Sequence, residues 1–230
     1  MRRLLLSLVF LLPATLSAQV GVDPAHSPYR DITKPNAFVF SYGHIGGNGG
    51  AVGVGPRDGD AWAFRYDVRF SGLLGGHIGF GHFIGTRYAY NPDDSASKRR
   101  TGPFDQGVTF IGGGIHLNLT GPKTWHRLAP YVEGEIGAAV GSKLTADSAS
   151  AYAFGTKLYV NPGVGVQWFI SDRIRLRFEA HRIYWKLTYP VTFYQTPLAE
   201  PTAAPIRSGS TTEWTGNGWL SLGVAISPGG

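Results

Sequence analysis

The chain has 230 residues, 33 of them glycine, one methionine and no cysteine, with aromatic residues at 13% and charged residues at 16%. The missing cysteines exclude disulfides, thiolate metal centres and acylation of a cysteine behind a leader, and a net charge of +6 spread evenly along the chain does not fit a nucleic-acid binder. Charged residues fall below the ~25% usual in soluble domains, and abundant glycine with aromatics favours turns and strands over helices, so an all-β chain is expected.

In chain order, Met1-Arg2-Arg3, an apolar run from Leu4 to Leu12 and Pro13-Ala14-Thr15-Leu16-Ser17-Ala18 have the layout of a secretory signal peptide, cleaved near Ala18. The apolar run is well short of the ~20 residues that a spanning helix needs. Cleavage removes Arg2 and Arg3 and lowers the net charge from +6 to +4. Residues 19–36 read as an N-terminal periplasmic extension, and 37–230 as a single β domain.

The clearest strand is 61–70. Trp62, Phe64, Tyr66, Val68 and Phe70 share one parity, and Arg65, Asp67 and Arg69 share the other, so one face is apolar and the other polar. The same logic puts Val132 and Ile136 opposite Glu133 and Glu135. It also puts Ile174, Leu176, Phe178 and Ala180 opposite Arg175, Arg177, Glu179 and His181, and Leu220, Leu222, Val224 and Ile226 opposite Glu213, Thr215, Asn217 and Ser221. Glycine-thinned strands are expected over 37–46, 73–90, 106–120 and 157–170, which makes about eight strands, some longer than the ~9–11 residues that cross a bilayer at a tilt.

The connections alternate in length. Long loops at 47–60, 91–105, 141–156 and 188–212 alternate with tight turns at Ser71-Gly72 and Ser171-Asp172 and an intermediate return at 121–130. An up-and-down barrel sorts its loops in this way, long ones outward and short ones periplasmic. Aromatics also gather near strand ends: Trp62, Tyr88, Tyr90, Tyr184, Trp185 and Trp214 beside the long loops, and Phe70, Tyr131 and Trp168 beside the short returns. Two such belts suit rings anchored at two membrane interfaces. The expected fold is therefore a closed antiparallel transmembrane β-barrel in a bacterial outer membrane, with no edge left to face lipid. Its lumen is expected to hold a charge network of Arg65, Asp67, Arg69, Glu133, Glu135, Arg175, Arg177, Glu179 and His181, mainly structural, because an eight-stranded lumen is just wide enough to be filled by side chains.

Pro130-Tyr131-Val132-Glu133-Gly134-Glu135-Ile136-Gly137 and the stretch Gly163 to Glu179, with Val164-Gly165-Val166-Gln167-Trp168 and Arg173-Ile174-Arg175-Leu176-Arg177, resemble the small outer-membrane barrel families of the OmpA, OmpX and OmpW type. The chain departs from them in ending Ile226-Ser227-Pro228-Gly229-Gly230 where such barrels commonly finish on an aromatic. The resemblance implies a monomeric, non-enzymatic protein that meets membrane lipid, lipopolysaccharide and the barrel assembly machinery. The OmpW type suggests as an alternative a narrow channel or carrier for small apolar molecules.

A lipid A-modifying enzyme is a further alternative. The deacylase type carries a His-x-Ser element, whereas His181 is followed by Arg182-Ile183. His44, His77 and His82 have no metal-ligand spacing on one strand face, and Gly46–Gly50 and Gly112–Gly114 lack the Lys-Ser/Thr ending of a phosphate loop. Gly112–Gly114 is expected to relieve crowding where the wall bends. No cofactor and no nucleic-acid partner are expected.

Overall fold

A computed structural model describes residues 27–228; the signal-peptide expectation lies outside them. Among the described residues ten strands form one antiparallel sheet: β1 (Tyr29–Asp31), β2 (Ala37–Gly46), β3 (Gly59–Arg69), β4 (Leu74–Tyr90), β5 (Arg100–Asn118), β6 (Lys123–Trp125), β7 (Leu128–Gly141), β8 (Thr156–Phe169), β9 (Ile174–Thr188) and β10 (Thr212–Ile226). Eight of them make the wall in the order β2-β3-β4-β5-β7-β8-β9-β10. Pairing of β10 with β2, in which Ile226 faces Phe38 and Gly218 faces Gly46, closes the barrel. Closure satisfies every wall strand on both sides, which a sheet surrounded by hydrocarbon requires.

The wall is turned inside out relative to a soluble barrel. Leu220 is 68% exposed, Ile78 64% and Ile111 59%, whereas Arg177 is 1% exposed and Asp67 5%. An apolar exterior around a polar interior is stable only where the exterior solvent is lipid. The barrel therefore spans a membrane.

Two short returns are built alike. Backbone N–H groups of Phe70 and Ser71 bond to Leu74 O, and those of Ile170 and Ser171 bond to Ile174 O. The Ser71 and Ser171 hydroxyls accept from the N–H groups of Leu74 and Ile174, so a serine supplies the missing partner in each tight turn. The third return, between β5 and β7, is longer because it carries β6, which pairs with β1. The segment before the barrel thus lies across this end, and Lys34 O accepts from Arg175 Nη2 at 3.2 Å.

The first of the two hairpin loops between β4 and β7 is shorter than its sequence suggests. Arg100 to Asp105 extend β5 and pair with β4 up to Tyr90, around an irregularity between Arg87 and Ala89. This extension is exposed on both faces, so it lacks the polar–apolar alternation that marks a strand in sequence. The other long connections span 47–58, 142–155 and 189–211, the last two each holding a short 3-10 turn, Thr145–Asp147 and Val191–Tyr194.

Candidate functional site

The lumen has two tiers. The lower one is a layer of paired charges centred on Arg65 of β3. Its Nη1 donates to Glu133 Oε2 at 3.2 Å and its Nη2 to Glu179 Oε1 at 2.5 Å, while Nε lies 3.2 Å from Asp67 Oδ1. Arg177 of β9 pairs with Asp67, places its Nε 2.9 Å from Glu179 Oε1 and donates from Nη2 to the Tyr131 hydroxyl at 2.7 Å. That hydroxyl in turn donates to Glu179 Oε1 at 2.5 Å. Glu135 takes a hydrogen bond from Tyr159 and another from His77 at 3.2 Å. His181 Nε2 sits 3.3 Å from Glu133 Oε1 and 3.7 Å from Glu179 Oε2. Burying charges is tolerable where they have opposite partners and further hydrogen bonds, as Arg65 and Arg177 have here.

Inward glycines make the layer possible. A Cβ on Gly79 would run into Arg65, one on Gly114 into the His77 ring, one on Gly163 into His181 and one on Gly165 into Tyr131. In so narrow a lumen a large side chain on one strand needs an empty position on the next. Gly112 faces inward beneath Tyr159 and Glu135 in the same way.

Seven of the nine residues expected in the lumen network, Arg65, Asp67, Glu133, Glu135, Arg177, Glu179 and His181, meet here. The other two lie towards the short-turn end. Arg175 bonds to Gln167, Ser227 and main-chain carbonyls, and Arg69 is half-buried and donates to Ile32 O. The layer also takes in His77, His116, Tyr131 and Tyr159, which the alternation of charged residues does not mark. His77 and His116 stack with centroids 6.4 Å apart; their neighbours on the inward parity are largely glycines, which blurs the polar face. Tyr131 and Trp185 are corrections to the aromatic belts: they are 1% and 2% exposed and point inward. Each shares the parity of the inward charges on its strand, and side-chain alternation fixes the face regardless of distance from the strand end. Trp62, Tyr184, Trp214, Phe70 and Trp168 do face outward, and Tyr90 packs under the loops on Phe193.

The upper tier is an apolar plug. Phe193, fully buried in the 189–211 loop, packs on Tyr90, Tyr152 and Tyr189, and Phe154 packs edge-on against Trp185 with centroids 5.5 Å apart. Below them Phe110 meets Trp219, whose ring lies against His181 at 5.3 Å. Arg87, wholly buried, pairs with Asp147 of the 142–155 loop and lies over the Tyr152 ring. Burial drives the Tyr152 phenol well above its ordinary range. The Tyr189 phenol is raised too, by burial first and then by its hydrogen bond to Glu213. Long loops therefore fold down into the mouth of the barrel.

On the outer wall, near the long-loop end, His44 pairs with Asp60 at 3.2 Å and His82 with Thr109 at 3.0 Å. Neither histidine joins the lumen.

No protein-family model matches the chain, and no curated protein matches it. Among solved structures, Neisserial surface protein A superposes with a TM-score of 0.54, covering 84% of this chain and 97% of that one at 13% identity. The outer membrane protein OprG from Pseudomonas aeruginosa gives a TM-score of 0.45 at 9% identity, covering 85% and 98%. The N-terminal β-barrel domain of Pseudomonas aeruginosa OprF gives 0.43 at 10%, covering 84% and 98%. Identities this low speak for fold alone, and by the first of these likenesses the chain has the fold of the small eight-stranded outer-membrane β-barrels.

Proposed function

We propose that the chain is an integral outer-membrane protein with a non-conducting, structural barrel, whose outward loops and outer wall make its functional contacts. The observation that carries this reading is the filled lumen. Paired charges occupy its lower tier and the Phe193–Trp185 plug occupies its upper tier, while the cavity bounded by Phe110, Trp219, His181 and Glu179 measures about 20 Å³, room for one water. A channel needs a continuous wet path, and a carrier for small apolar molecules needs more space than this. A hydrolase acting on lipid A needs its histidine within reach of the acyl ester, but His181 is sealed in the lumen, 8% exposed, which supports a non-enzymatic role. The contacts are then lipopolysaccharide along the wall and ligands or protein partners at the loops, with the described part of the N-terminal extension, residues 27–36, on the periplasmic side and the assembly machinery needed only for insertion of a monomer.

Planar-bilayer recording tests the reading. The protein, shown to be folded by a mobility that changes on heating in gels, is expected to give no defined unitary steps. Reproducible single-channel steps from the folded wild type would refute it.

A further inference from the structure

The charged layer holds two more carboxylates than guanidiniums. Asp67, Glu133, Glu135 and Glu179 are four carboxylates, and Arg65 and Arg177 are the two guanidiniums paired with them. Arg175 is turned towards Gln167 and the main chain of residues 34–36. Uncompensated charge in a lumen this dry is expensive.

The surplus has a focus. Glu133 and Glu179 each give one oxygen to Arg65, Oε2 and Oε1 respectively, and turn the other towards His181 Nε2. Their side chains are 1% and 2% exposed, and that of His181 is 2% exposed. Glu133 Oε1 and His181 Nε2 nevertheless have no hydrogen-bond partner. The three donor atoms lie within 4.8 Å of one another, with separations from His181 Nε2 of 3.3 and 3.7 Å. Donors about 2.0–2.2 Å from a tetrahedral zinc ion stand roughly 3.4 Å apart.

We propose that Glu133, Glu179 and His181 form a binding site for one divalent transition-metal ion, of the zinc class, inside the barrel. The ligand set of one imidazole and two carboxylates suits such an ion, and its two positive charges match the surplus. Arg65, bridging the two carboxylates from behind, holds them in place as outer-shell partners of metal ligands commonly do. The small cavity bordered by Glu179, His181 and Trp219 leaves a fourth position for water. Glu133 stands on β7 and the other two ligands on β9, so the ion ties together strands separated by β8. Gly163 on β8, where a Cβ would strike the His181 ring, opens the gap between them. Plugged at one end and crossed by the 27–36 segment at the other, the barrel takes up its ion while folding.

The test is to refold the barrel in detergent with Zn²⁺ present, remove outside metal with a chelator, and measure zinc per chain by elemental analysis. One zinc per chain is expected for the wild type and for His82→Ala, whose histidine lies on the outer wall, and none for His181→Gln or Glu133→Gln. A metal-free wild type would overturn the site. Full retention by both ligand variants would overturn it as well. Should those variants fail to fold, the wild type refolded with Co²⁺ decides the matter: the intense visible bands of tetrahedral cobalt support the site, and their absence refutes it.

Discussion

Replacing Arg177 by methionine keeps much of the side-chain volume and removes the charge. Arg177 is 1% exposed and contacts Asp67, Glu179 and the Tyr131 hydroxyl. Glu179 keeps Arg65 as a partner, but Asp67 is left with only the Nε of Arg65 at 3.2 Å. Breaking a buried pair from one side costs about 3–5 kcal/mol, because the remaining charge stays buried. At ~1.4 kcal/mol per factor of ten, the folded-to-unfolded ratio should fall by roughly two to three and a half orders of magnitude. Urea unfolding of the barrel in lipid vesicles, followed by unheated gel mobility, measures this. Arg177→Met with Asp67→Asn should recover part of the loss, since the stranded charge goes too, giving a coupling of about 0.5–3 kcal/mol. An unchanged midpoint in the single variant, or strict additivity in the double, would refute the pairing.

The outer wall gives a second test in the same assay. Phe178→Arg, on the lipid-facing side of β9, should destabilise by about 2–4 kcal/mol if it lies near the bilayer centre. Lys186→Ala, on the same face but beyond the apolar stretch, should stay within ~0.5 kcal/mol, and equal losses would sink the assignment of the membrane-facing band. Under the loops, the raised phenols of Tyr152 and Tyr189 make their contribution to stability complete below the ordinary phenol value of about 10; it is lost as pH climbs above that value towards the folded one. Alkaline titration of tyrosine absorbance should show the same number of phenols ionising near pH 10 in folded wild type, Tyr152→Phe and Tyr189→Phe. A smaller amplitude in either variant means that its phenol was already free.

Alternation made the barrel legible. Residues 61–70 and 173–185 show their two faces in a local pattern that needs no knowledge of the fold, and the same parity holds for Tyr131 and Trp185, where position near a strand end misled. His77 and His116 were obscured because their strands carry glycines on the inward face, and a glycine declares no polarity. Asp105 and its neighbours in the β4–β5 extension are wet on both sides, so they read as loop.

Strand periodicity, the alternation of long and short connections and the inward charges were thus determined by the sequence itself, since each is written in the local order of residues. Which charges meet was decided by the tertiary structure. Arg65 is 68 residues from Glu133 and 114 from Glu179, and only the register of a closed barrel brings the three together. The same closure sets Glu133 and Glu179 around His181, and it folds the 142–155 and 189–211 loops, which have no periodicity to read, into the plug that seals the lumen.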